Sequence, residues 1–164
     1  MNSGYGLRTL TRESPRFAPL SYHGGAVWPH DTAIVVAGLA RCGAHEAAAS
    51  FIDGVLAAST AFEGRLPELY GGGQRDDGPL IPYPAACRPQ AWSAASAVSF
   101  VQSLLGLVPD APAGKLRVSP LHAPIIGPLD VRGLRIGAED VAVRTDRSGN
   151  VVVDGPSWLQ VKTG

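Results

Sequence analysis

The sequence predicts a mainly α-helical fold followed by a small β-rich C-terminal tail. Before residue 109, apolar residues recur at helical spacing in three segments. After it, short runs of β-forming residues alternate with turn residues. We therefore expect two domains, residues 1–109 and residues 110–164. The chain of 164 residues is 45% hydrophobic and 17% charged, which is enough apolar material for a folded core.

Three helices are expected, over residues 32–41, 45–61 and 90–107. Asp31 stands directly before the first apolar run and is predicted to cap that helix with its carboxylate. The short connection between the first two helices predicts that they pair as a hairpin. Residues 62–89 contain so many glycines and prolines that we expect a long loop, and long loops inside compact domains tend to carry function.

Charge and composition exclude several classes of partner. Fourteen basic residues balance fourteen acidic ones, and no basic stripe is present, so neither nucleic acid nor an anionic membrane is expected as a partner. The longest apolar run, residues 33–40, is too short to span a bilayer. Without a signal peptide, the chain is expected to be cytoplasmic. Cys42 and Cys87 are far apart, and we expect no disulfide, metal or cofactor.

One stretch, residues 22–31, concentrates side chains that suit a carbohydrate site. Aromatic rings stack on sugar rings, and imidazoles and carboxylates bind sugar hydroxyls. Each side chain also has a structural interpretation, as core ring, helix cap or loop histidine, and from spacing alone that interpretation is the commoner one. The candidate substrate-binding residues of the stretch are Tyr22, His23, Trp28, His30 and Asp31.

A second stretch, residues 65–70, offers a carboxylate for chemistry. Pro67 stiffens the backbone in front of Glu68, so that the carboxylate can be aimed as a general base requires. The structural alternative is a surface glutamate paired with Arg65. Gln90 and Trp92 open the third helix and are further candidates for substrate binding, as is Arg65.

Four segments resemble the glycogen-debranching-type amylo-α-1,6-glucosidases and their bacterial relatives. They read SGYGLRTL at residues 3–10, YHGGAVWPHD at 22–31, RLPELY at 65–70 and PYPAACRPQAWS at 82–93. The resemblance implies an (α/α)6 toroid of the six-hairpin glycosidase type. It also implies an inverting hydrolase of α-glucans or other α-glucosides, with Glu68 as the general base.

The chain departs from that family in two respects. Gly24 replaces an Asn or Arg, and three helices are expected where the toroid has twelve. No segment within residues 1–20 resembles the one that carries the general acid. We therefore expect a C-terminal fragment of the toroid that carries the base, lacks the acid, is inactive alone and is completed by an upstream fragment. The alternatives are a non-catalytic carbohydrate-binding module of the same fold, or a sugar epimerase using histidines, against which the LPEL motif argues.

Overall fold

The computed structural model describes residues 1–164, which form two compact units, Met1–Phe100 and Val101–Gly164. The helices are α1 (Pro29–Arg41), α2 (His45–Thr60) and α3 (Ala91–Leu105), with a short 3-10 helix at Arg75–Asp77. The strands are β1 (Val108–Asp110), β2 (Lys115–Val118), β3 (Leu129–Ile136), β4 (Glu139–Thr145), β5 (Val151–Asp154) and β6 (Gln160–Thr163).

The prediction of a mainly α-helical toroid is wrong. Helical residues, with the 3-10 helix included, make up 29% of the chain, and extended residues in two small sheets and isolated bridges make up 22%. A toroid is built from helix hairpins, whereas here α1 and α2 form one packed pair and extended backbone builds much of the remaining core. No helix is both long and apolar enough to cross a membrane.

The three predicted helices do form, but α1 begins differently from the expectation. It starts at Pro29, whose fixed φ suits the first helical position, so Trp28 rather than Asp31 occupies the N-cap. The prediction that Asp31 caps the helix is therefore wrong. Asp31 lies in the first turn, and its Oδ1 is 3.1 Å from Nε2 of His30.

Four extended segments of the first unit lie side by side, although none is long enough to form a regular strand. Val27 and Tyr70 exchange two backbone hydrogen bonds, of 2.9 and 3.0 Å. Arg8 pairs with Val27, and Pro82 pairs with Tyr70. These pairs join the N-terminal segment, the segment before α1 and two parts of the long loop. Residues far apart in sequence therefore become neighbours.

The extended segments present two faces, because successive side chains of extended backbone point in opposite directions. Val27 and Tyr70 are fully buried and pack with Ala58 and Phe62. Their chain neighbours form a second buried cluster, made of Ala26, Trp28 and Leu69 with Tyr83 and Ala86 packed against it. The second cluster contains Trp28, which connects the core to the candidate site.

Arg8 ties the N-terminal segment to the long loop. Its guanidinium is buried and donates hydrogen bonds to the carbonyl of Gly72 at 2.6 Å, the carbonyl of Asn2 at 3.0 Å and Oε1 of Gln74 at 2.6 Å. Burial lowers the pKa of this guanidinium from its usual value. Since all three bonds satisfy a buried charge, Arg8 fixes the loop that leads away from Glu68 and Tyr70.

The second unit contains the two sheets. In one, β2 pairs antiparallel with β1 and parallel with β6; in the other, β4 pairs antiparallel with β3 and β5. All four β-type runs expected from the sequence lie within strands, namely β2, β3, β4 and β5. Side chains from α3 and the strands form the core of this unit: Leu105, Leu116, Val118, Ile136, Val141 and Val143.

Candidate active site

Tyr22 and Glu68 meet in the first unit, although 46 residues separate them in the sequence. The Tyr22 hydroxyl donates a hydrogen bond of 3.1 Å to Oε1 of Glu68. Glu68 is only 8% exposed, whereas a glutamate without a special role is mostly exposed. The structural alternative that paired Glu68 with Arg65 does not hold, because Arg65 is exposed and Tyr22 contacts the carboxylate instead.

The backbone around Glu68 is fixed from two sides. The amide of Glu68 donates to the carbonyl of Cys87 at 2.9 Å. The preceding carbonyl, of Pro67, accepts a hydrogen bond of 2.6 Å from Oγ of the buried Ser93, at the start of α3. Glu68 is therefore held by a loop segment and a helix as well as by Tyr22.

Five rings form a series of contacts that begins at Tyr22, and we call them the aromatic cluster: Tyr22, His23, Trp28, His30 and Trp92. The Tyr22 ring lies edge-on to Trp28 with centroids 4.5 Å apart, and edge-on to His23 at 4.7 Å. His23 lies nearly parallel to Trp28, with centroids 5.7 Å apart and planes 11° apart. His30 links Trp28, at 5.7 Å, to Trp92, at 5.6 Å. The cluster is thus continuous from Tyr22 to the first turn of α3.

The rings of the aromatic cluster differ in solvent exposure, so they can serve different roles in the site. Trp28 is 5% exposed, and its Nε1 donates to the carbonyl of Tyr22 at 2.9 Å, so it supports the other rings from below. Tyr22 is 42% exposed and Trp92 is 46% exposed. These two rings offer the accessible faces on which a sugar ring can stack.

His30 carries the one buried side-chain polar atom that has no partner in the structure. Its Nε2 lies 3.1 Å from Oδ1 of Asp31. Its Nδ1 is buried and has no hydrogen-bond partner. Buried side-chain polar atoms in proteins are normally hydrogen-bonded, so Nδ1 of His30 is an exception within the aromatic cluster.

The structure brings most of the sequence-predicted site residues together, but not all in the same way. Gln90 turns its side-chain oxygen back to the amide of Ala91, at the start of α3. Asp31 is occupied with His30. Arg65 lies on the surface beside the segment that leads to Glu68. Their assignment to substrate binding stays a prediction.

Three residues that hold the site were given no role in the sequence analysis. They are Cys87, whose carbonyl anchors Glu68, Ser93, which anchors Pro67, and Tyr83, whose ring lies 6.0 Å from that of Tyr22. All three lie within residues 82–93, one of the four segments that carry the family resemblance. What the sequence lacked was any sign that this segment runs alongside residues 67–70.

No group of three or more His, Cys, Asp or Glu side chains is arranged to hold a metal ion. A wide cavity of about 730 Å³ lies in the second unit, between residues 120–129 and the turn at 145–149. It contains none of the predicted site residues, which all lie in the first unit. We therefore place the candidate site at Glu68 and the aromatic cluster.

Residues 1–71 match the family model of the mannosylglycerate hydrolase MGH1-like glycoside hydrolase domain. The matched residues include Tyr22, Trp28 and Glu68. Residues 1–71, less than half of the chain, are therefore similar to a glycoside hydrolase domain. The match does not single out glycogen debranching among glycoside hydrolase activities. A search of the curated proteins finds no match to the chain.

Proposed function

We propose that the first unit carries the general-base side of a glycoside hydrolase site, with Glu68 as the base. The observation that carries this proposal is the buried carboxylate of Glu68, held by Tyr22 beside the aromatic cluster and within the matched residues. Tyr22 and Trp92, which are both partly exposed, provide stacking surfaces for a sugar.

The chemistry of the proposed step is inverting hydrolysis. Glu68 takes a proton from a water molecule as the water oxygen attacks the anomeric carbon. The bond between the anomeric carbon and the glycosidic oxygen breaks, and a carboxylic acid gives its proton to that oxygen. Such an acid stands about 6.5–9.5 Å from the base, which leaves room for the water. Proton exchange with solvent then resets both carboxyl groups.

We propose that a separate upstream polypeptide segment supplies the acid, as the resemblance to the debranching-type enzymes suggests. The Glu68 carboxylate accepts a hydrogen bond from the Tyr22 phenol, and no second carboxyl group is hydrogen-bonded to it. The proposed substrate is an α-glucoside, with α-1,6-branched glucan as the first choice from the same resemblance. The description of the matched family model makes mannosylglycerate the second choice.

The alternative function is sugar binding without hydrolysis. Two half-exposed aromatic faces beside hydrogen-bonding groups suffice for a carbohydrate-binding surface. This function needs the aromatic cluster but makes no use of the Glu68 carboxylate as a base. The two functions therefore differ in what a substitution at Glu68 does.

A hydrolysis assay tests the proposal. The chain alone, a separately expressed upstream segment alone, and their mixture are incubated with branched limit dextrin and with mannosylglycerate, and released glucose or mannose is measured. We expect sugar release in the mixture and none from either component, because the base and the acid must act together. Sugar binding without hydrolysis in all three samples would contradict the proposal and favour the binding module.

Chemical modification of Cys87 provides a separate prediction about where the sugar binds. Cys87 and Cys42 are both exposed free thiols, but only Cys87 belongs to the segment that anchors Glu68. In the Cys42→Ser variant, labelling Cys87 with fluorescein maleimide should weaken isomaltose binding at least about tenfold, or ~1.4 kcal/mol. Cys87→Ser preserves the backbone carbonyl that Glu68 uses.

The matched control labels Cys42 in the Cys87→Ser variant, where affinity should be unchanged. Binding is measured by calorimetry, and added isomaltose should also slow the labelling of Cys87. Equal affinity of both labelled proteins would place the sugar away from Glu68.

A further inference from the structure

Tyr22 is fixed at both of its ends. Its carbonyl accepts the hydrogen bond from Nε1 of Trp28. Its ring makes T-shaped contacts with the rings of His23, Trp28 and Tyr83. The ring therefore cannot swing away without breaking several contacts, and its hydroxyl points at Oε1 of Glu68. This arrangement goes beyond the sugar-stacking role that the sequence assigns to Tyr22.

The two oxygens of Glu68 are in different situations. Oε1 accepts the Tyr22 hydrogen bond. Oε2 receives no hydrogen bond from the protein, and it is not among the fully buried atoms that lack a partner. Since the backbone on both sides of the side chain is anchored, the hydrogen bond to Oε1 restricts the remaining rotation of the carboxylate.

We propose that Tyr22 is the positioning residue of the base: it holds Glu68 through Oε1 and leaves Oε2 to take the proton from water. The inference rests on the proposed function, in which Glu68 is the base. Tyr22 donates its proton to a hydrogen bond and does not transfer it, so the balance of the hydrolytic step is unchanged. Positioning matters because a displacement of a reacting group by about 1 Å can cost 100-fold in rate.

The environment of Tyr22 suits this task. Desolvation, the hydrogen bond to Glu68 and the negative charge of Glu68 all raise the pKa of the Tyr22 phenol from its usual value. A phenol with a raised pKa keeps its proton across the pH range in which glycosides are hydrolysed. The hydrogen bond to Oε1 is therefore present whenever Glu68 is ionised and able to act.

The first experiment tests the contact and needs no activity. Phenolate absorbance near 295 nm is followed during a base titration of the full chain, and the Tyr22 transition is identified by its loss in Tyr22→Phe. In Glu68→Gln the transition should move to lower pH, because the negative charge that opposes phenolate formation is gone. Glu63→Gln, an exposed glutamate nearby, should leave it in place. An unmoved transition in Glu68→Gln would overturn the inference.

The second experiment tests positioning in the hydrolysis assay. Tyr22→Phe keeps the ring and removes only the hydroxyl, so kcat should fall between about 10- and 100-fold while KM stays within about twofold. Tyr5→Phe, which removes a hydroxyl elsewhere, should change neither constant. A changed KM with unchanged kcat would make Tyr22 a binding residue and overturn the inference. If the wild-type mixture shows no hydrolysis, the proposed function and the catalytic role of Tyr22 are both overturned. The titration still tests whether Tyr22 contacts Glu68.

Discussion

Glu68→Gln is expected to abolish most of the hydrolytic activity of the mixture while sugar binding persists. The amide has nearly the shape of the carboxylate, and its oxygen still accepts the Tyr22 hydrogen bond, so the protein should fold. An amide cannot take a proton from water, and general-base catalysis contributes about 10²–10⁴-fold to rate. We expect kcat to fall by about that factor, measured as sugar release from the substrate that the wild-type mixture hydrolyses.

Glu63→Gln is the matched control, because it makes the same chemical change at an exposed position of the same loop. Its activity should equal that of the wild type. Isomaltose binding by Glu68→Gln should remain within about threefold, a difference of less than 1 kcal/mol. If Glu68→Gln kept near wild-type kcat, Glu68 would not be the base, and another group would have to activate the water.

Gly72→Ala is expected to destabilise the first unit strongly. A Cβ at Gly72 would lie 1.7 Å from the carbonyl oxygen of Gly25 and 2.8 Å from its carbonyl carbon. Both atoms belong to the backbone, so no side-chain rotation relieves the contact. Hydrogen bonds with Pro19 and Arg8 hold Gly72 from its other sides. Overpacking typically costs about 1–3 kcal/mol, and a clash with backbone atoms is expected at the upper end of that range.

The neighbouring Gly73 supplies the control, because a Cβ there meets nothing within 4 Å. Gly73→Ala should change the free energy of unfolding by less than about 0.5 kcal/mol. In thermal unfolding, Gly72→Ala should lower Tm by about 6–12 °C. Because Gly25 leads into the Trp28 segment, Gly72→Ala should also weaken isomaltose binding. Equal Tm values for the two variants would show that the backbone yields more easily than the close approach suggests.

Local sequence signals predicted the local structure well. The apolar spacing of α2 and α3 and the β-branched runs of β3, β4 and β5 depend on neighbours within a few residues, which the sequence displays directly. The start of α1 was missed by a small margin. Pro29 and Asp31 are both good residues for the beginning of a helix, and the proline took the first position.

The prediction of the fold class failed because it did not depend on local sequence signals. The toroid was inferred from resemblance over a few segments, and it required many helix hairpins, whereas the chain forms three helices, of which α1 and α2 are the one packed pair. Single backbone pairs, such as that of Val27 with Tyr70, replace them in the core of the first unit. A segment with one such backbone pair has no periodicity, so no pattern in the sequence predicts the pair.

By itself, the sequence determined the three helices, the strand-rich C-terminal part and the segments that carry Trp28 and Glu68. These features can be predicted from residue types and their spacing. Only the tertiary structure decided that the Tyr22 hydroxyl contacts Glu68, that Trp28 is buried beneath the more exposed rings, and that only Oε1 of the carboxylate accepts a hydrogen bond from the protein. These facts depend on contacts between residues up to 46 positions apart, which packing and backbone pairing create and local propensity does not encode.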